Sequence, residues 1–187
     1  MAQPQPWWRA FGTNAGPCAV LQGIEARSFD AGDLDFLQAL YASTREQEMA
    51  CIGWPPSQCE QFLRQQFEFQ HSYYQEHFAD ADFLVLLRAG RPIGRLYWRD
   101  GGDGTASLID LSLVPAERGR GIGTALMAML AAHADRRGLH TVLHVEPFNR
   151  AHELYRRFGF DVVDDNGIYL KMMRRAHATV SREAHAA

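Results

Sequence analysis

The sequence predicts a mixed α/β fold, a central sheet with helices on both faces. Three observations carry this. Alternating apolar segments at residues 83–87, 93–99 and 106–114 follow one another across short glycine-containing turns, the pattern of consecutive strands. Long segments with apolar residues at helical spacing flank them at residues 30–49, 57–77 and 122–136. A strand at 141–145, a helix at 149–158 and a hairpin at 160–163 and 168–173 complete a strand–helix alternation.

Each element has a local reason. Residues 1–18 carry Pro, Gly, Gln and Asn and read as an irregular arm that Trp7 and Trp8 could pin to the domain or to a partner chain. A strand is expected over 19–28. Asp30 then caps a helix to about Met49, with Leu34, Leu37 and Tyr41 on one face. Gly53, Pro55 and Pro56 make a loop of residues 51–56. Ser57-Gln-Cys-Glu60 has the spacing of a capping box and starts an aromatic-rich helix to about His77. Residues 89–92, Ala-Gly-Arg-Pro, turn the first hairpin, and Asp100-Gly-Gly-Asp-Gly104 the next. On the strand that follows, Ile109, Leu111 and Leu113 point one way, and Leu108, Asp110 and Ser112 the other. The helix after it keeps Ile122, Leu126, Met129 and His133 in one stripe and ends at Arg136-Arg137-Gly138. Asn149 is placed to cap the helix that Gly159 terminates. The tail from 176 to 187 reads as disordered, which leaves one domain over 19–175.

Composition narrows the function. The chain has 187 residues, 47% hydrophobic and 22% charged, with a net charge of -3, which favours neither a nucleic-acid binder nor a membrane-surface binder. Cys18, Cys51 and Cys59 have no C-x-x-C spacing, and their odd number favours reduced thiols in the cytoplasm. No Cys/His spacing suggests a metal site, and no run reaches membrane-spanning length or reads as a signal peptide.

The richest signal is the run from Leu111 to Leu126, Leu-Ser-Leu-Val-Pro-Ala-Glu-Arg-Gly-Arg-Gly-Ile-Gly-Thr-Ala-Leu. A strand, a turn of glycines and arginines, and a helix start aim free N–H groups and the positive end of a helix dipole at one point. A pyrophosphate-bearing cofactor suits such a turn. A P-loop needs Lys before Ser/Thr, and none precedes Thr124. A dinucleotide fingerprint would use Gly119, Gly121 and Gly123, with Glu146 as the ribose-binding acid, but it needs a small residue at Thr124 and more strand–helix units downstream.

The third fit is Arg118-x-x-Gly121-x-Gly123, which resembles the Arg/Gln-x-x-Gly-x-Gly/Ala signature of the GNAT superfamily of N-acetyltransferases. A second block, Asn149-x-Ala151-x-x-Leu154-Tyr155-x-x-x-Gly159-Phe160, resembles that family's late helix and following strand, in the same order. The resemblance runs from about Asp82 to Met173 and implies a GNAT-like, mostly antiparallel sheet and an N-acetyltransferase that takes acetyl-coenzyme A. It places the cofactor on Arg118, Gly119, Arg120, Gly121, Ile122, Gly123, Thr124 and Asn149, with the pantetheine arm along Leu113 and Val114. Tyr155 becomes the acid for the departing thiolate, and Asp110 the base, with Glu146 and Glu48 as rivals. His133 reads as a core or rim residue, and His144 and His152 flank the cofactor region.

The resemblance walls the acceptor groove with the first helices, so Trp54, Phe67, Tyr73 and Tyr74 would face an amine through cation–π contact, unless their helical spacing makes them core. The expected acceptor is a primary amine on a small molecule, since the chain shows no appended recognition domain. The apolar arm leaves a homodimer open. A silent acyl-coenzyme A sensor and an NAD-dependent oxidoreductase are the alternatives.

Overall fold

The computed structural model describes residues 7–10 and 19–177. They form two compact units. The first comprises the described residues up to Arg99 together with Ile109–Ala125, and the second comprises Asp100–Leu108 and the residues from Leu126 onward. Of the expected disordered tail, 176–187, residues 178–187 lie outside the described residues, as does most of the expected arm; Ala176 and His177 are instead held in place, their N–H groups donating to the His140 Nδ1 at 3.1 Å and the Asp135 Oδ1 at 2.8 Å.

The first unit orders its strands β1 (Ile24–Ser28), β2 (Asp82–Arg88), β3 (Arg91–Asp100) and the C-terminal half of β4 (Thr105–Leu113). β1 and β2 are antiparallel, as are β2 and β3. Ala89 and Gly90 turn the β2–β3 hairpin with φ of 50° and 74°, the two positive values of a two-residue hairpin turn. The turn is therefore shorter than expected, and Pro92 lies inside β3. It pairs with Leu87 beside a shift of register, where a residue without an N–H disturbs the ladder least.

The segment expected as one strand over 19–28 is a single 3-10 turn, Ala19–Leu21, followed by β1; Gly23, at φ 72°, separates them. Asp30 caps not a long helix but a 3-10 turn, Ala31–Asp33, closed by a reciprocal capping box with Asp33. The helix α1 (Leu34–Ile52) starts after that turn and runs past Met49 to a left-handed Gly53. Its buried stripe is Leu37, Leu40 and Tyr41, which leaves Leu34 at the edge and 37% exposed.

The helix α2 (Pro56–His77) begins one residue before the expected capping box, with no side-chain cap. Pro56 occupies the first helical position, where its fixed φ suits the helix, and the Pro55 carbonyl accepts the N–H groups of Gln58 and Cys59. Phe67 joins Leu37, Tyr41, Val85 and Leu87 in a core cluster. Val85 pairs with Arg95, so this face of the sheet, the one α1 and α2 cover, also carries Arg95. Trp7 is pinned to the same chain: its indole N–H donates to Asp82 at 2.7 Å, and its ring meets Trp98 edge-on at 6.1 Å.

The second unit orders its strands as the N-terminal half of β4, then β5 (His140–Val145), β7 (Leu170–Arg174) and β6 (Phe160–Asp165). β4 and β5 are parallel, whereas β5–β7 and β6–β7 are antiparallel. With the antiparallel pairs of the first unit, this is the mixed, mostly antiparallel arrangement that the sequence predicts. The helix α3 (Ile122–Arg136) supplies Leu126, Met127, Leu130 and Ala134 to this core, a wider stripe than expected. Buried His133 meets the Asp100 carboxylate at 2.9 Å, and Arg174 grips Asp135 through two bonds of 2.7 and 2.8 Å. The helix α4 (His152–Arg157) follows β5. Among the described residues no helix is long and apolar enough to cross a membrane, and no group of three or more His, Cys, Asp or Glu could hold a metal ion.

Candidate active site

β4 leads into the turn, and the backbone at its end is already organised. The Val114 N–H donates to the Ile93 carbonyl of β3 at 2.9 Å, and its carbonyl accepts the Glu117 N–H at 3.0 Å. Successive strand residues direct their backbone groups to opposite edges. The Leu113 N–H therefore points away from β3, while the Leu113 carbonyl accepts the Arg118 Nε at 2.8 Å. Gly94 makes this closeness possible: a Cβ there would stand 2.5 Å from the Ser112 carbonyl oxygen.

A 3-10 turn, Pro115–Glu117, then brings the chain to Arg118 and into the glycine run. Gly119 and Gly121 have φ of 73° and 80°, a region costly for side-chain-bearing residues. A Cβ at Gly119 would meet nothing within 4 Å, and one at Gly121 only Val20 at 3.9 Å. The space over the turn is open, and it is the kind of space a side chain would fill. Ala125 donates to the Gly121 carbonyl at 3.0 Å, which opens α3. The N–H groups of Ile122, Gly123 and Thr124 belong to the first turn, which the helix's own ladder leaves available. A turn of this build suits a pyrophosphate.

The arginines do not simply add charge there. The Arg118 guanidinium straps the turn to α1, reaching the Ser43 Oγ at 2.7 Å and the Ser43 carbonyl at 3.3 Å. Arg120 is 59% exposed and lies 3.4 Å from Glu117, which Arg88 also contacts at 3.1 Å. Both arginines are exposed; Arg120 stands open to solvent beside the glycines, while Arg118 holds the turn in place.

Asp110 sits in a buried polar network. The Arg95 Nε donates to its Oδ1 at 3.0 Å and the Arg95 Nη2 to its Oδ2 at 2.6 Å; the Ser112 Oγ donates to Oδ1 at 2.7 Å. Gln70 of α2 holds the Arg95 Nη2 at 2.8 Å. Arg95 is 2% exposed. Burial works against its charge, and the facing Asp110 and Tyr97 outweigh it, so the guanidinium is held above its ordinary value. Burial, against the pull of Arg95, pushes the Tyr97 phenol up to about 12. The His71 imidazole is lowered by burial and then by Arg95. Arg95 was not singled out in the sequence, although a signal exists: it alternates with Gly94 and Leu96 and falls on the same face as Tyr97, a charge at an inward position that demands a carboxylate on the neighbouring strand.

The expected acceptor wall divides. Phe67 is core, and Tyr74 packs edge-on against Tyr97 at 6.0 Å. Trp54 packs on Phe62 at 5.4 Å, just before α2, and Tyr73 stacks on His77 at 4.1 Å near its far end. At 1.5 Å per residue, Phe62 and Tyr73 are about 16 Å apart along the helix, so Trp54 and Tyr73 stand at different levels of α2. Glu48 pairs with Arg45 at 3.1 Å on the surface of α1.

In the second unit, Tyr155 lies half-buried on α4, 6.0 Å from the Phe160 ring. Asn149 does not cap α4, whose N-cap is Ala151; its Oδ1 instead accepts the Ala151 N–H at 2.8 Å, an Asx turn ahead of the helix. Glu146 follows β5, and its carbonyl accepts the Asn149 N–H at 3.0 Å. Burial and then Lys171 lower the His144 imidazole.

Comparison with known proteins agrees with this geometry. The model of the acetyltransferase (GNAT) family matches residues 41–160, a stretch that runs through both units. None of the curated proteins searched matches the sequence. Among solved structures, the PaiA N-acetyltransferase of Thermoplasma acidophilum in complex with coenzyme A is 22% identical, with a TM-score of 0.61 over 81% of this chain and 98% of that one. An acetyltransferase from Thermus thermophilus is 21% identical, with a TM-score of 0.58 over 81% and 96%. A structure described as histone acetyltransferase HPA2 and related acetyltransferase, from Corynebacterium glutamicum, is 19% identical, with a TM-score of 0.59 over 85% and 100%. At these identities the structures speak for the fold. The family match covers well over half of the chain, including the turn from β4 into α3, and shows that the protein belongs to the acetyltransferase (GNAT) family, whose members use acetyl-coenzyme A.

Proposed function

We propose that this protein is an N-acetyltransferase that moves the acetyl group of acetyl-coenzyme A to a primary amine of a small molecule, in the cytoplasm. The observation that carries the reading is the open turn at the end of β4, with Gly119 and Gly121 at positive φ and a helix N-terminus behind them. In this reading the N–H groups of residues 120–124 hold the pyrophosphate and Arg120 adds charge. The Leu113 N–H, directed away from β3, polarises the thioester carbonyl. Tyr155 donates a proton to the departing thiolate, and Asp110 is the final acceptor of the proton that the amine gives up. Asn149 and Glu146 stand beside the helix that carries Tyr155 and take part in positioning coenzyme A and acceptor.

A small acceptor is supported by a shallow, open groove of about 390 Å³ in the first unit, lined by Ala42, Ser43, Glu46, Met49 and Leu63. Ser43 of that groove is the residue that holds Arg118 of the glycine turn, which ties the groove to the turn. Glu46 supplies a carboxylate for an ammonium group.

Thermal unfolding with acetyl-coenzyme A, coenzyme A and NADH in parallel tests the reading. A ligand at 100 times its Kd stabilises by about 2.7 kcal/mol, worth roughly 5–11 °C in a chain of this length. A rise with the two thioester-related ligands and none with NADH is expected, followed by thiol release when an amine is added. A rise without thiol release from any amine would make the protein an acyl-coenzyme A sensor.

A further inference from the structure

Asp110 is shielded from an incoming amine: its carboxylate already accepts three hydrogen bonds, two on Oδ1 from Arg95 and Ser112 and one on Oδ2 from Arg95. The pair is nearly sealed: the side chains of Arg95 and Asp110 are 3% and 11% exposed. A buried ion pair holds its geometry when further hydrogen bonds support it, and here Gln70 adds one to Arg95 and Ser112 one to Asp110. The network ends at Ser112, which is half-buried rather than sealed.

The direction of the Ser112 bond decides what its oxygen can do. An ionised carboxylate only accepts, so the serine hydrogen is committed to the Asp110 Oδ1. What the Ser112 Oγ still offers is lone pairs, and lone pairs select a donor. An amine N–H is such a donor. Ser112 also immediately precedes Leu113, whose N–H leaves β4 on the edge away from β3.

Resting on the transferase reading above, we propose that Ser112 is a catalytic residue: its Oγ takes the N–H of the acceptor amine and relays that proton to Asp110. The nitrogen lone pair forms the new N–C bond at the thioester carbon. The amine proton passes to the Ser112 Oγ, while the serine's own proton passes to the Asp110 Oδ1, so the serine ends neutral and the carboxylate becomes a carboxylic acid. The C–S bond breaks, the sulfur keeps the electron pair, and Tyr155 protonates it. Asp110 returns its proton to water through Ser112, and the Tyr155 phenolate takes one back from water. Arg95 is a positioning residue in this scheme, since its two bonds fix which carboxylate oxygen faces the serine.

The test uses the full chain and follows thiol release from acetyl-coenzyme A with tyramine, spermidine, L-lysine and kanamycin as acceptors. Ser112→Ala is expected to lower kcat/KM for the best of these by about 10²-fold, the scale of a proton-transfer group, while the thermal shift with acetyl-coenzyme A stays at its wild-type value. Ser112→Thr, which keeps the hydroxyl on a strand that favours β-branched residues, is expected to restore most of the rate. In mixtures of H₂O and D₂O, the wild-type rate should depend on deuterium content with the curvature of two protons moving together, and Ser112→Ala should lose that curvature. A Ser112→Ala rate close to wild type, or a loss that Ser112→Thr does not restore, overturns the relay. Failure of the transferase reading is seen separately, as a wild-type protein that releases no thiol with any of the four amines.

Discussion

The approach of β3 to the end of β4 depends on one missing methyl group, and replacing Gly94 with alanine puts it back. The new Cβ would lie 2.5 Å from the Ser112 carbonyl oxygen, 2.7 Å from the Leu113 Cδ2 and 3.3 Å from the Leu113 Cα. The leucine methyl can rotate away, but the carbonyl belongs to the backbone. Ordinary contact begins near 3.4 Å, so the two strands must part by about 0.9 Å. Overpacking of this kind costs about 1–3 kcal/mol, and in a chain of this length each kcal/mol lowers Tm by about 2–4 °C. The displaced atoms are those that matter most to the proposed chemistry, because Ser112 bonds Asp110 and Leu113 carries the outward N–H. A misplacement near 1 Å can cost about 10²-fold in rate. The assay is a paired measurement of Tm and kcat/KM on Gly94→Ala, and the activity loss should exceed what the small stability loss explains. A Gly94→Ala protein with wild-type Tm and wild-type activity would refute the claim that close approach of β3 positions this strand end.

Two further perturbations separate binding from folding. Gly121→Ala meets only Val20 at 3.9 Å, so its folding cost is the left-handed backbone alone, about 1–2 kcal/mol; the same methyl stands over the start of α3, so the thermal shift with acetyl-coenzyme A should be lost, and an unchanged shift would remove the turn from the cofactor site. The Asp135 carboxyl is held below the usual carboxylate range by hydrogen bonds from Arg174, against burial. A depressed carboxyl contributes stability above its unfolded value, near 3.9, and loses it as pH falls through the folded value. The Tm gap between wild type and Asp135→Asn should therefore be full at neutral pH and shrink below about pH 4, whereas a gap of equal size at both would show that the charge of Asp135 adds nothing.

Much of the fold, and the local backbone of the candidate site, were legible in the sequence. The α2 C-terminus at His77, the start of β4, and the β4–turn–α3 run follow from rules that act over a few residues: glycine at positive φ, apolar periodicity, and a helix start behind a strand. Where the local rules competed, the reading missed. Pro56 took the first position of α2 ahead of the Ser57–Glu60 pattern, and Ala151 took the cap position of α4 while Asn149 closed the turn before it.

The sequence by itself determined the glycine- and arginine-rich turn and the strand and helix on either side of it, because these depend on neighbours along the chain. Only the tertiary structure decided the partners. Arg118 reaches Ser43 across 75 positions, Gln70 reaches Arg95 across 25, and Gly94 lets one strand press against the backbone of the next. It also decided that Phe67 belongs to the core while Tyr73 lies on the surface of the same helix. A side chain's partner, and so its charge state and its role, depends on which distant segment packs beside it; that choice is made by burial of the whole sheet face, to which no short stretch of sequence has access.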